Sequence, residues 1–340
     1  MGTSQISLDE KYMRRCIQLA ANGIQGARPN PMVGAVICLP LFPSKGSKNS
    51  DALQLPLPLE RAGRETRIIG EGYHVRCGKE HAEVNAFASV RSEDEHLLPE
   101  ATLYVSLEPC SHYGKTPPCA DLIIKKGVKR VVVGCVDPFA EVQGRGIKKL
   151  REAGIEVTVG VLEQECQWLN RRFFTFHREN RPYIILKWAQ TANGFIDDHF
   201  KPLMISNEQT QMLSHQLRAE EDAILVGHTT YDREQPQLTV RHWHGPNPKR
   251  IVLTHNRPIA QLMDDLYQHG IQSLIVEGGR QTHESFIEAG LWDEIRVETA
   301  PITVTDGTPA PQLPANVSLL SRKTFAGNTL CGYVPLTCTP

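Results

Sequence analysis

Apolar residues recur along the chain in two rhythms, and the alternation between them predicts the architecture. Tyr12, Met13, Cys16, Ile17, Leu19 and Ala20 stand at helical spacing. Ser7 to Glu10 before them reads as a capping box, and Gly23 as the stop. Met32 to Leu39 is a short β-branched apolar run, hence a buried strand. Leu39 to Glu65 breaks the pattern: it is rich in proline and serine, contains LQLPLPLE, and holds no period, so it reads as an inserted loop. Strand character resumes at Arg67 to Gly70. A helix is then expected over His81 to Val90, a strand over Thr102 to Leu107, and a helix over Ala120 to Lys126 closed by Gly127. A strand at Arg130 to Gly134, a helix at Gly146 to Ala153 and a strand at Ile155 to Val159 complete the first set. Glu163 to His177 reads as one helix leading out of it. The second set has strands at Tyr183 to Trp188, Ala223 to Val226, Ile251 to Thr254 and Ser273 to Val276. Helices at Glu208 to Ala219, Ile259 to His269 and Thr282 to Ala289 lie between and after them, and Asp293 to Val297 and Asn328 to Val334 close the chain as strands. Strands alternating with helices imply an α/β fold of layered sheets, in two successive units.

Length and charge sharpen this without redirecting it. A chain of 340 residues suggests about two domains. The charged residues nearly cancel, with 37 Lys and Arg against 38 Asp and Glu, a net of −1. Proteins that live on nucleic-acid phosphates or anionic lipid usually carry a basic excess, so neither partner is expected. No apolar run approaches the roughly 18 residues a membrane helix needs. MGTSQISLDEKYMRR lacks the apolar stretch of a signal peptide. The nine cysteines are an odd, scattered set, which fits reduced thiols in a cytoplasm better than a disulfide framework and leaves some free for a metal.

That metal has a candidate site. HAE at His81, Ala82 and Glu83 is followed by EPCSHYGKTPPC from Glu108 to Cys119. His81, Cys110 and Cys119 supply one imidazole and two thiolates, and three protein ligands with an open fourth position is the arrangement of catalytic rather than structural zinc. Zinc held this way lowers the pKa of bound water to about 7. Glu83, two residues from His81, is placed to carry protons between that water and a leaving amine without being a ligand, as in zinc nucleobase deaminases. A structural site would want a fourth ligand; His112 is the candidate nearby, and Glu83 would then have no task.

Eight residues separate Cys110 from Cys119, where the general deaminase pattern has two. With that spacing, LEPCSHYGKTPPC, HAEVNA before it, NPMVGAV at Asn30 to Val36 and DPFAEVQGRGIKKLREAGIEV after it, the chain closely resembles the bifunctional deaminase/reductases of riboflavin biosynthesis over nearly its whole length. The resemblance implies a cytidine-deaminase-like α/β/α sandwich over residues 7–162, with 39–65 as an insertion, a linker helix over 163–180, and a dihydrofolate-reductase-like domain over 181–340. It implies one zinc ion on His81, Cys110 and Cys119, Glu83 as proton shuttle, and Asn30, His74, His112 and Lys115 toward the pyrimidine and phosphate of a phosphoribosylaminopyrimidine. In the second half it implies NADPH, with Thr230, Glu234 and Gly279 at the cofactor and Arg218, Leu238, Arg241 and Glu277 at the substrate. A cytoplasmic homo-oligomer, dimer or tetramer, is the assembly it suggests.

The residues alone say less about that second half: an α/β pattern, VEGG from Val276 to Gly279 after a strand, and two arginines suited to phosphate. Three departures from the family pattern fall here. TANG places Asn193 where an aspartate is usual, REQPQLTVR places Glu234 where the aspartate is one methylene shorter, and ITVTDGTPAP offers Gly307 in place of a glycine pair. RIVLTHNRP, residues 250–258, runs from strand straight into helix, and the chain near 254–259 is also shorter than in the family. These departures raise an alternative: a deaminase whose second domain is an inactive scaffold for oligomerisation. A zinc-stabilised binding module and a polynucleotide deaminase are the readings from other classes.

Overall fold

The computed structural model describes residues 2–40, 66–113, 117–139, 143–254 and 256–336. It divides into two compact units, Met1–Asn170 and Arg171–Pro340.

The first unit holds helix α1 (Gly2–Ala21), strands β1 (Gly34–Pro40) and β2 (Thr66–Tyr73), helix α2 (Ala82–Ala88), strand β3 (Thr102–Leu107), helix α3 (Cys119–Lys126), strand β4 (Arg130–Cys135), helix α4 (Arg145–Glu152), strand β5 (Glu156–Val159) and helix α5 (Glu163–Leu169). The sheet runs β2-β1-β3-β4-β5, with β1 antiparallel to both neighbours and β3, β4 and β5 parallel. Strand alternation sorts the core. Ala35, Ile37, Leu103, Val105, Val131 and Val133 pack with Ala82, Ala86, Phe87, Ala120, Ile123 and Leu150 from α2, α3 and α4. The intervening Val36, Tyr104 and Val132 are equally buried, and α1 and α5 lie against β1, β3 and β4. The result is an α/β/α sandwich. Parallel β3 and β4 end level, with Leu107 opposite Cys135, so the segments that follow them emerge at one edge.

The second unit opens on α6 (Arg171–Glu179) and continues through β6 (Tyr183–Gln190), α7 (Glu208–Glu220), β7 (Ala223–Gly227), α8 (His228–Glu234), β8 (Lys249–Leu253), α9 (Ile259–Gln268), β9 (Ser273–Val276), α10 (Arg280–Glu288), β10 (Glu294–Thr299), β11 (Val317–Phe325) and β12 (Asn328–Pro335). Its sheet is β11-β12-β10-β6-β9-β7-β8, parallel from β10 to β8 and antiparallel at β12 and β11. Ile184, Leu186 and Trp188 pack with Leu262, Met263, Leu266 and Phe286 of α9 and α10. Tyr183 and Ile185 face the other way, onto Leu217 of α7. Phe286 is fully buried at the centre of the larger cluster. Replacing it with alanine is expected to lower unfolding stability by about 3–5 kcal/mol, measured by denaturant titration, because the vacated volume cannot collapse fully.

Several elements differ from the sequence expectation, among them an unexpected 3-10 helix over Ser92–Glu100. Helix α1 begins at Gly2, ahead of the expected cap at Ser7: the preceding turn already supplies helical acceptors, so the box has no free end to close. The helix expected over Glu163 to His177 is broken at Asn170, whose side-chain oxygen accepts from the Met32 N–H at 2.7 Å and whose amide donates to the Met32 carbonyl at 2.8 Å. Helix α8 leaves no apolar periodicity in the sequence because none of its residues is buried, and β11 leaves none because it is a largely exposed edge strand without alternation. The expected insertion falls almost wholly on 41–65, outside the described residues. No helix among those described is long and apolar enough to cross a membrane.

Candidate active sites

The first site forms where the carboxyl ends of β3 and β4 meet the start of α2, the usual place for a ligand crevice in such a sheet. His81 caps α2, its carbonyl accepting from Asn85 N–H at 3.1 Å. Cys119 is the first residue of α3, and Cys110 lies in the loop after β3. The donor atoms of the three lie within 4.8 Å of one another. His81 Nδ1 is 3.6 Å from Cys110 Sγ and 3.4 Å from Cys119 Sγ. Zinc bonds of about 2.3 Å to sulfur and 2.0–2.1 Å to nitrogen at tetrahedral angles separate such donors by roughly 3.6 Å, so these residues fit the ion.

The electrostatics agree. The Cys110 thiol is held well below its ordinary pKa by a hydrogen bond from Cys119 and by His81, and its sulfur also accepts from the Cys119 backbone N–H at 3.2 Å. Cys119 is pushed up by the same pairing and by burial: two adjacent sulfurs do not both ionise without a cation between them. The hydrogen bond to Cys110 raises His81. Glu83, on the first turn of α2, is 3 % exposed, and burial pushes its carboxyl up to about 7. A carboxyl that protonates near neutrality is suited to passing protons.

Around this core, Asn30 Nδ2 lies 3.2 Å from His74 Nε2, and the His74 ring meets the His81 ring edge-on at 5.3 Å. Burial lowers the His74 pKa, keeping its ring neutral. His112 is exposed beyond Cys110, and Lys115 lies outside the described residues. Two acids that sequence reasoning missed complete the region. Glu108 accepts from Gly144 and Gly146 N–H at 2.9 Å and from Asp137 and Ile147 N–H at 3.3 Å, binding the loop before α4 to the EPC turn. Gly146 has to be glycine, since a Cβ there would overlap the Pro109 carbonyl. Asp137 is buried, its carboxyl pushed up to about 6 by burial, with Glu108, His112 and Cys110 among the groups it faces. The available signal for Asp137 was Asp-Pro directly after a strand.

The second unit also gathers its chemistry at strand carboxyl ends. A cleft of about 850 Å³ is lined by Gly227, Thr230, Glu234, Thr254, Arg257, Gly279 and Arg280 among others. Thr282 packs so closely on Gly227 and Gly278 that any Cβ at either would strike it. Bare backbone at the start of α10, with Arg257 and Arg280 beside it, fits a phosphate-bearing dinucleotide. Thr230, Glu234 and Gly279 all line this cleft, and the short link through Thr254 and Arg257 is itself part of the wall. Asn193 accepts from Thr191 Oγ1 at 2.9 Å and Val304 N–H at 3.3 Å, and donates to the Val304 carbonyl at 2.7 Å. An aspartate could not make that last bond, so the departure ties the 301–309 segment to the turn after β6.

Arg218 Nη2 pairs with Glu277 at 2.6 Å and its Nη1 donates to the Thr239 carbonyl at 3.3 Å. Burial opposes the charge on Glu277, but Lys187 and Arg218 outweigh it and hold the carboxyl below its ordinary value. Lys187, on β6, was not foreseen: a lone lysine in a strand carries no spacing signal. Arg241 is exposed and its guanidinium rests on neutral groups, Gln237 Oε1 at 2.7 Å and Thr239 Oγ1 at 3.2 Å. Leu238, expected at the substrate, is 5 % exposed and packs with Leu217, Ile224 and Val226; its φ of 53° turns the chain toward Arg241.

Comparison with known proteins agrees with both halves. Residues 62–135 match the cytidine and deoxycytidylate deaminase zinc-binding region. Residues 182–260 and 257–328 match the RibD C-terminal domain in two segments that meet in the link between β8 and α9. The chain is 35% identical to the riboflavin biosynthesis protein RibD of Aquifex aeolicus, over 88% of this chain and 89% of that one. The chain belongs to the RibD family. The RibD of Bacillus amyloliquefaciens is 33% identical over 93% of this chain and 90% of its own. A solved Thermotoga maritima diaminohydroxyphosphoribosylaminopyrimidine deaminase/5-amino-6-(5-phosphoribosylamino)uracil reductase superposes with a TM-score of 0.82 at 31% identity, covering 97% of this chain and 99% of that one. As a RibD-family enzyme of riboflavin biosynthesis, the chain joins a zinc-dependent deaminase to a reductase domain of dihydrofolate-reductase-like fold.

Proposed function

We propose that the chain hydrolyses the amino group of 2,5-diamino-6-(5-phosphoribosylamino)pyrimidin-4-one and then reduces the ribose of the product to ribityl with NADPH. The observation that carries the first step is the convergence of His81, Cys110 and Cys119 beside a buried, proton-accepting Glu83. His81 Nδ1 and the two Sγ atoms hold the ion. Zinc bound there supplies Lewis-acid activation of a water molecule. Glu83 takes the proton from the attacking water on its carboxylate and delivers it to the departing amine, which leaves as ammonia. Asn30 and neutral His74 bind the ring edge, and His112 and Lys115 receive the phosphoribosyl end. A free pyrimidine nucleotide rather than a polynucleotide is the substrate, in keeping with the near-zero net charge.

In the reductase half, Thr230, Glu234 and Gly279 hold the dinucleotide in the cleft. NADPH supplies the hydride. Arg218, Lys187 and Arg241 set three positive charges against Glu277, which leaves a net excess suited to a phosphate dianion. The proposed domains are 7–162 and 181–340 joined by 163–180; the division of the chain after Asn170 supports a boundary within that joining stretch. A cytoplasmic homo-oligomer completes the reading, on the family resemblance; sedimentation of the purified chain tests the assembly.

The deciding experiment measures ammonia release and NADPH oxidation separately on the purified chain. Both are expected; ammonia release without NADPH oxidation would restore the scaffold alternative. Arg241→Ala is expected to raise the reductase KM for its phosphorylated substrate by about 10–100-fold while ammonia release stays unchanged, since a charge-assisted phosphate contact is lost from one site only.

A further inference from the structure

We infer that His215 is a positioning residue of the reductase half, an obligatorily neutral acceptor that holds the backbone of Arg241 in place for the substrate phosphate. This rests on the phosphate reading of Arg218 and Arg241 above.

The residues from Leu238 to Pro248 form no helix or strand; Leu238 packs against Ile224 and Val226 of β7, but no strand pairing fixes where Arg241, three residues on, stands. Three side-chain hydrogen bonds hold the backbone of residues 239–241. Asn247 Oδ1 accepts from Val240 N–H at 2.7 Å, within the loop itself. Arg218 Nη1 reaches the Thr239 carbonyl at 3.3 Å. His215 Nδ1 accepts the Arg241 backbone N–H at 2.9 Å. The last two come from the same face of α7, three residues apart, so one helix sets the spacing between the two guanidinium groups. Of the two, the His215 bond is the shorter and the better enclosed: His215 is 4 % exposed, and the His242 ring packs edge-on against it at 4.9 Å.

The role demands a lone pair on Nδ1, hence a neutral ring with its proton on Nε2. The surroundings enforce that state. Burial first, then Arg218 on its own helix and Arg241 and His242 on the loop, lower the His215 pKa to about 4, while Glu277 opposes them. Above that range the acceptor is intact; a protonated ring would lose the bond and add a further cation beside the two arginines. Histidine here thus acts as a rigid, uncharged hook in a cationic pocket. A carboxylate in its place would accept the same bond but cancel charge meant for the phosphate.

The test compares His215→Ala, His215→Asn and Arg241→Ala in the full chain, following NADPH oxidation against 5-amino-6-(5-phosphoribosylamino)uracil concentration, with ammonia release as the folding control. Asparagine places Oδ1 close to where Nδ1 stood, so it restores the acceptor without the ring. His215→Ala is expected to raise KM about tenfold with kcat within about twofold, and His215→Asn to return KM to within about threefold of the parent. A merely structural role for the ring would leave the asparagine variant as impaired as the alanine one, and that result overturns the inference. So does an unchanged KM in His215→Ala while Arg241→Ala raises it, which leaves the phosphate reading standing. An unchanged KM in Arg241→Ala overturns both. Should His215→Ala fail to fold, the asparagine variant decides: parent-like KM supports the hook, and a tenfold rise rejects it.

Discussion

Glu83→Gln is expected to cut ammonia release by about a thousandfold while the chain keeps its zinc and its NADPH oxidation on already deaminated substrate. The three expectations have separate causes. Glutamine has nearly the volume of glutamate, so the buried pocket at the first turn of α2 stays filled. It has no basic oxygen to take a proton from water and none to return to the amine, so both halves of the proton transfer fail together. The ligand set of His81, Cys110 and Cys119 does not include Glu83, so metal content measured by atomic absorption is expected to stay near one per chain. A variant that keeps more than about a tenth of the parent rate would remove Glu83 from the mechanism. A variant that loses zinc would make it a ligand instead. The same substitution separates an enzyme from a zinc-stabilised binding module, which would keep both its metal and its function.

Removal of the metal carries the second large effect. Dialysis against a chelator, or Cys119→Ala, is expected to abolish ammonia release, with recovery on adding stoichiometric zinc in the dialysed chain and none in the variant. Without the ion, the Cys110 and Cys119 sulfurs are left sharing a single negative charge beside His81. Coordination demands both thiolates, so the energy of binding is spent partly on ionising Cys119 and affinity falls as pH drops. Alanine leaves an imidazole and one thiolate, too few to close three of four positions. NADPH oxidation on deaminated substrate is expected to persist in both samples, because every residue assigned to the reductase lies in the second unit. Loss of both activities on chelation would show that the second half depends on the metal.

The departures of the second half take on a different meaning in the folded chain. The short link between β8 and α9 lines the cleft through Thr254 and Arg257. Asn193 makes three hydrogen bonds with the neighbouring turn and with Val304, one of which an aspartate could not donate. Glu234 stands on the cleft wall. None of these observations supports an inert scaffold, and the match to the RibD C-terminal domain continues on both sides of the link.

Much of this was legible in the chain because it depends on local order. Strand and helix periodicity is written into neighbouring residues, so the layered α/β architecture followed from it. The spacing of His81, Glu83, Cys110 and Cys119 announced a zinc deaminase, since ligands on the turns after strands are placed by those strands. Tertiary structure alone decided the rest. Asn170 breaks a helix to pair with Met32, 138 residues away, and no local pattern records that. Asp137 and Lys187 become site residues only when their strands align beside others, and His215 gains its task only when a loop without periodicity is laid across α7. Sequence reports what a residue can do with its near neighbours; burial and the charges brought around it from distant segments determine its protonation and its partners.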